Sequence, residues 1–174
     1  MGEALLSGED FKPSENDYDW LGSGIYFWET NPRRGLDWAM ELQKRKAKVT
    51  DPFVVGAVVD LGFCLDLISS NGTEAVKLAW QSLHANMERS ARPLPSNAGG
   101  VDLLLRRLDC AVINHLHKVR EVRQLQPFDS VRGVFIEGPA IYDGAGFREK
   151  THIQICVRSP ERIKGVFRVR SQDL

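Results

Sequence analysis

The first dense apolar run in the chain is Ile25-Tyr26-Phe27-Trp28, and it follows directly on the turn Gly22-Ser23-Gly24. Strand alternation puts Tyr26 and Trp28 on one face and Ile25 and Phe27 on the other, so one face can offer aromatic surface while the other anchors a core. The same residues read equally well as a buried hairpin strand. Before them lie a short segment from Glu3 to Leu6 and the turn-rich stretch Lys12-Pro13-Ser14-Glu15-Asn16. Asn31-Pro32 predicts a helix start, with Asn as N-cap and Pro at the first helical position. Leu36, Ala39 and Met40 share a face that Trp38 and Leu42 extend, which predicts an amphipathic helix over residues 32–47 ending in Lys44-Arg45-Lys46. Asp51-Pro52 stops it. The nearly continuous apolar run from Phe53 to Leu61 predicts a central strand buried on both faces.

The middle of the chain predicts two helices, one capped by Thr73 over residues 74–87 and one capped by Asp102 and running to about Lys118, with a Pro, Ser and Gly-rich loop from Arg92 to Gly100 between them. His115 and His117 fall on or beside the apolar stripe of the second helix and read as packing or surface residues. Strand patterns return at residues 131–136, 151–157 and 163–169. In the second of these, His152, Gln154 and Cys156 share a face. Polar groups in the middle of an apolar strand need partners or a ligand.

With 174 residues and 43% hydrophobic content, the chain suits one domain, residues 1–174, with a real core. Lys plus Arg and Asp plus Glu both total 23, so net charge argues neither for nor against nucleic acid. The distribution is uneven. Six acids precede Trp20 against Lys12 alone, and the stretch 148–170 carries Arg148, Lys150, Arg158, Arg162, Lys164, Arg168 and Arg170. An acidic start and a basic end are compatible with a phosphate-rich partner near the C-terminus, or with a solvated strand face. Cys64, Cys110 and Cys156 are widely spaced in apolar company and read as free thiols, with no disulfide framework and no CxxC or HExxH pattern for a metal. No signal peptide or 18-residue apolar run occurs, so the expected location is cytoplasmic, away from the membrane.

The segment Gly22-Ser23-Gly24-Ile25-Tyr26-Phe27, followed by a helix containing Trp38-Ala39, resembles the nicotinamide pocket of the ADP-ribosyltransferase superfamily, in its diphtheria-toxin and poly(ADP-ribose) polymerase branch. The resemblance covers residues 11–40 and 131–168. It implies an α+β fold, a split antiparallel β-sandwich, with the helical segment at about 74–124 as an insertion. It also implies NAD as substrate, bound by Gly22, Gly24, Tyr26, Gly35 and Trp38. Tyr26 would stack on nicotinamide and Trp38 close the other side of the ring. Gly35 falls where the family usually has a serine hydroxyl for the carboxamide.

The family's catalytic glutamate falls on Gln154, which with Tyr26 makes up the implied catalytic pair. A neutral amide keeps a hydrogen bond to the ribose and loses the charge. The family's N-terminal His-Gly strand has no counterpart in residues 1–21. Glu137 and Glu149 are the carboxylates best placed to compensate, and both also read as solvated loop acids. The resemblance implies a bacterial mono-ADP-ribosyltransferase acting on a macromolecular acceptor, protein or nucleic acid, in a toxin or phage-defence setting, with the loop 138–150 facing the acceptor. A non-catalytic NAD or ADP-ribose-binding module is the alternative, and an unrelated α+β domain with a buried aromatic strand the third reading.

Overall fold

The computed structural model describes residues 2–46 and 50–174. Its elements are α1 (Gly2–Leu6), β1 (Ile25–Trp28), α2 (Pro32–Lys46), β2 (Val55–Val59), β3 (Cys64–Asp66), α3 (Ser70–Arg89), β4 (Asn97–Ala98), β5 (Leu105–Arg106), α4 (Arg107–Val122), β6 (Ser130–Phe135), β7 (His152–Val157) and β8 (Ile163–Arg168). Four strands form one sheet in the order β1-β7-β6-β3, with β3 parallel to β6 and the other pairs antiparallel. The class is α+β. The principal sheet is mixed rather than wholly antiparallel.

Each face of that sheet has its own cover. Tyr26, Cys156, Val131 and Leu65 lie on one face in register, and there they meet Val112, Ile113 and Leu116 of α4 and Ala79 of α3. Ile25, Ile155 and Val157 on the other face meet Val59, Leu61 and Ile163 around the two-stranded sheet β2-β8. The helical middle of the chain thus covers the main core.

The start of α2 forms as its sequence dictates: Asn31 Oδ1 accepts the Arg34 N–H at 3.1 Å. Its expected last residue, Ala47, lies outside the described residues. Two helix starts and the burial of one strand differ from the pattern. Helix α3 begins earlier because Ser69, not Thr73, is the cap: Ser69 Oγ accepts the Gly72 N–H at 3.0 Å, and Gly72 lies against the Asp66 carbonyl where a Cβ has no room. Thr73 then sits inside the helix, its hydroxyl turned back to the Ser69 and Ser70 carbonyls. Helix α4 begins at Arg107 because β5 pairs Leu105 and Arg106 with Ala98 and Asn97, while Asp102 accepts the Gly138 N–H. Strand β2 is half-exposed rather than central. Among the described residues it pairs only with β8, and Val58 is 56% exposed.

Several cations of the basic stretch have carboxylate partners within the chain. Arg168 pairs with Glu3, Arg162 with Asp60 and Asp129, Lys150 with Glu41 and Arg170 with Asp173. Much of the basic stretch is thus neutralised within the chain. Among the described residues no helix is long and apolar enough to cross a membrane, and no group of His, Cys, Asp and Glu is placed to hold a metal ion.

Buried His117 on α4 carries a prediction. Neither ring nitrogen has a partner among the described residues, the ring lies edge-on to Phe128, and burial, then the charges of Arg158 and Arg120, push its pKa down to about 3. A histidine depressed in the folded state binds fewer protons than in the unfolded chain. Its contribution is therefore fully present above about pH 6.5 and lost as pH falls toward 3, at a rate of about 1.4 kcal/mol per pH unit. His117→Leu is expected to flatten the acid limb of stability and to gain about 2 kcal/mol over the parent at pH 5, measured by urea unfolding at pH 5 and 7.5.

Candidate functional site

The corner where β1, β7, the end of β6 and the first turns of α2 meet gathers most of the chemistry. Register fixes its floor. Trp28 lies opposite Gln154, Gln154 opposite Gly133, and Phe135 opposite His152, so these side chains share the face that α3 and α4 cover further down. Helix α2 supplies the roof. Gly35 packs on Trp28, where a Cβ would lie 3.4 Å from the indole, and Trp38 follows on the same helical face.

The polar groups form a directed chain. His152 Nδ1 lies 2.7 Å from the Lys150 carbonyl, which can only accept, so Nδ1 carries the proton. Burial, the largest influence, holds the His152 pKa below its usual value, so Nε2 is a bare acceptor. The Gln154 Nε2–H then donates to it at 3.0 Å. This fixes which end of the amide points where. Gln154 Oε1 is left without a partner among the described residues, a neutral acceptor on the strand face beside Trp28.

Above His152, Arg34 Nη2 donates to Glu137 Oε2 at 3.1 Å. The pair is deeply buried, with 10% of the Arg34 and 7% of the Glu137 side chain exposed. Among the described residues, Arg34 Nε and Nη1 are buried without partners, and so is Trp28 Nε1. The guanidinium lies 6.0 Å from the Trp38 ring centre. Unpaired buried donors each cost about 1–3 kcal/mol, which makes this corner a polar spot that a ligand could complete. A cleft of about 640 Å³ shares Trp28 and Gly35 with this corner but lies toward the opposite face of β1 and β7, where Phe11, Phe27, Phe53 and Ile155 wall it. That volume is typical of sites for small molecules and cofactors.

The structure brings together Gln154, Gly35, Trp38 and Glu137 of the residues that sequence singles out. It sets Tyr26 one register step away, opposite Cys156. The Tyr26 hydroxyl donates to the Gly22 carbonyl at 2.7 Å and accepts the Leu21 N–H at 2.9 Å, its ring packs on the helical core, and burial raises its pKa. The phenol thus ties down the glycine turn. The two glycines are likewise used by the fold. A Cβ at Gly22, whose φ is +79°, would lie 2.7 Å from Asn114 Oδ1, and one at Gly24 would lie 2.7 Å from the Val157 carbonyl oxygen. Glu149 is exposed, whereas Glu137 is no solvated loop acid. Cys156, on the same face as Gln154, is an unreactive thiol, pushed up to about 12 by burial. Arg34 belongs to no motif that the sequence displays, although its position four residues before Trp38 places it on the Gly35–Trp38 side of the helix.

The chain is 24% identical over 182 aligned residues to the uncharacterized protein MJ0359 of Methanocaldococcus jannaschii, an alignment that covers 93% of this chain and 79% of that protein. No protein-family model matches the chain. No solved structure matches it.

Proposed function

We propose that this chain is an NAD-dependent ADP-ribosyltransferase-like protein, with its nicotinamide and ribose site at the β1–β7–α2 corner and a macromolecule as acceptor. The observation that carries the reading is the fixed amide of Gln154. Held by His152, it leaves Oε1 without a partner among the described residues on the strand face it shares with Trp28, where a ribose hydroxyl could donate to it. Trp38 supplies a flat apolar face for the nicotinamide ring. Glu137, paired with Arg34, brings a carboxylate near a site whose strand position is neutral, and the cleft that shares Trp28 and Gly35 with the corner would take the rest of the dinucleotide. The sandwich architecture implied by the resemblance is part of this proposal.

A second reading, binding without catalysis, is favoured by one specific observation: the group at the strand position carries no charge to stabilise an oxocarbenium-like transition state. Removing an electrostatic contribution of that kind costs on the order of a hundredfold to a thousandfold in rate.

Thermal unfolding with and without NAD tests the site. A ligand at a hundredfold excess over its Kd stabilises by about 2.7 kcal/mol, an upward Tm shift of several degrees for a chain of this size. We expect that shift in the parent protein and in Tyr26→Phe, which keeps the ring, and its loss in Trp38→Ala and Gln154→Ala. No shift in the parent, or equal shifts in all four proteins, would contradict the assignment.

A further inference from the structure

A second cavity, of about 590 Å³, lies on the other side of Phe135, between α3, the start of α4 and the sheet. Three aromatic rings wall it: Trp20, Phe135 and Trp80. Trp20 and Phe135 lie 4.1 Å apart between ring centres, and the Trp20 indole is fixed by its Nε1–H donating to the Leu104 carbonyl at 3.2 Å. Val76 of α3 and Val112 of α4 complete the apolar lining. The mouth is apolar as well. Ile68 is 51% and Trp80 41% exposed, although both have cavity space beside them in which to be covered. Apolar side chains left exposed around a concave surface mark binding sites more often than isolated ones do.

The polar groups of this cavity have one sign to offer. Arg106 lies over Trp20, its guanidinium carbon 3.9 Å from the ring centre. Nη1 is bonded to Asp109 and Nη2 to the Asp102 carbonyl, while Nε is buried without a partner among the described residues. Asp109 is the one carboxylate among the described lining residues, and it is already taken by Arg106 and by the Asn97 amide at 3.0 Å. Lys77 adds a second cation at the rim, in an exposed contact with Glu74. A buried guanidinium N–H without an acceptor, beside an ammonium and among three rings, asks for a flat apolar body bearing an anionic group.

We propose that this cavity is a binding site for a planar aromatic anion, with the ring system between Trp80 and Phe135 and the acidic group on Arg106 and Lys77. The cavity shares Gly133 and Phe135 with the floor of the Gln154 corner, but Gln154 does not line it and the proposal does not depend on the NAD reading. Because Phe135 also meets His152, with ring centres 5.7 Å apart, an occupant would rest on the same strand wall that supports Gln154.

The probe is 8-anilinonaphthalene-1-sulfonate, titrated against the full chain by fluorescence, with the uncharged N-phenyl-1-naphthylamine as its partner probe. The expected result is saturable binding of one equivalent to the native protein. Lys77→Gln and Arg106→Gln should together weaken the anionic probe by at least tenfold and leave the uncharged probe within twofold. Ile68→Trp, a change at an exposed position that folds without repacking the core, should obstruct the mouth and weaken both probes. Circular dichroism confirms that each variant is folded, and if Arg106→Gln is not, Lys77→Gln alone should still weaken the anionic probe selectively. Unsaturable binding, equal loss of both probes in the charge variants, or indifference to Ile68→Trp would overturn the proposal.

Discussion

Gln154→Glu is expected to raise nicotinamide release from NAD by about a hundredfold or more, because it restores a negative charge where the implied oxocarbenium-like transition state would develop positive charge. The structure adds a condition. The present hydrogen bond runs from the Gln154 amide to the bare Nε2 of His152, with Nδ1–H committed to the Lys150 carbonyl. A carboxylate has no N–H to give, so the variant keeps a contact at that point only if His152 takes up a proton and donates from Nε2. The influences on His152 divide: burial, the largest, and the Arg34 cation oppose the protonated ring, whereas the Lys150 carbonyl and the Glu137 carboxylate favour it. The new carboxylate beside the ring tips the balance toward the imidazolium. The His152 pKa, followed by NMR of the imidazole carbons, should therefore rise in the variant, above its depressed parental value. A release rate unchanged from the parent in a folded Gln154→Glu protein would remove Gln154 from the reacting centre.

Glu137→Ala is expected to produce the largest loss of stability of any single change at the site, about 3–5 kcal/mol. The deletion leaves the Arg34 guanidinium in a deeply buried place without the carboxylate that pairs with it, while Nε and Nη1 already lack partners among the described residues. For a chain of this length that corresponds to a fall in Tm of roughly 10 °C. The double change Arg34→Met with Glu137→Leu removes both charges and fills a similar volume, so it should recover most of the loss. A buried ion pair is costly to break and often neutral to replace. If Glu137→Ala lost less than about 1 kcal/mol, the pair would behave as a solvated surface bridge, and the buried character given to the corner would be wrong.

These two residues also show how far local sequence pattern reaches. The aromatic strand, the Asn31 cap and the alternating faces of β7 follow from spacing of two and of three to four residues, and they come out where the pattern places them. Glu137 and Arg34 are separated by 103 positions, and no local period says that a carboxylate at a strand end will meet a first-turn arginine. The role of Tyr26 is hidden for a related reason. An aromatic beside a glycine turn reads as an open surface for a ring, but its hydroxyl is consumed by Gly22 and Leu21 once the turn folds back on it. The shifted starts of α3 and α4 have tertiary causes too, since Gly72 must clear Asp66 and Leu105 must pair with Ala98. The depth of His117 is legible only in part. Its place beside the stripe follows from helical spacing, whereas the surroundings of its two nitrogens depend on Phe128, Arg120 and Arg158 arriving from elsewhere.

The central claim, NAD chemistry at the Gln154 corner, is tested most directly by release of nicotinamide from NAD labelled in the nicotinamide ring. Purified protein would be assayed alone and with cell lysate as a source of acceptor, beside Trp38→Ala and Gln154→Ala. The expected result is release that depends on lysate and is lost in both variants, with the label of an adenine-labelled NAD passing to a macromolecule. Absence of release together with absence of any NAD-dependent rise in Tm would contradict the claim, and release that persists in both variants would place the chemistry elsewhere.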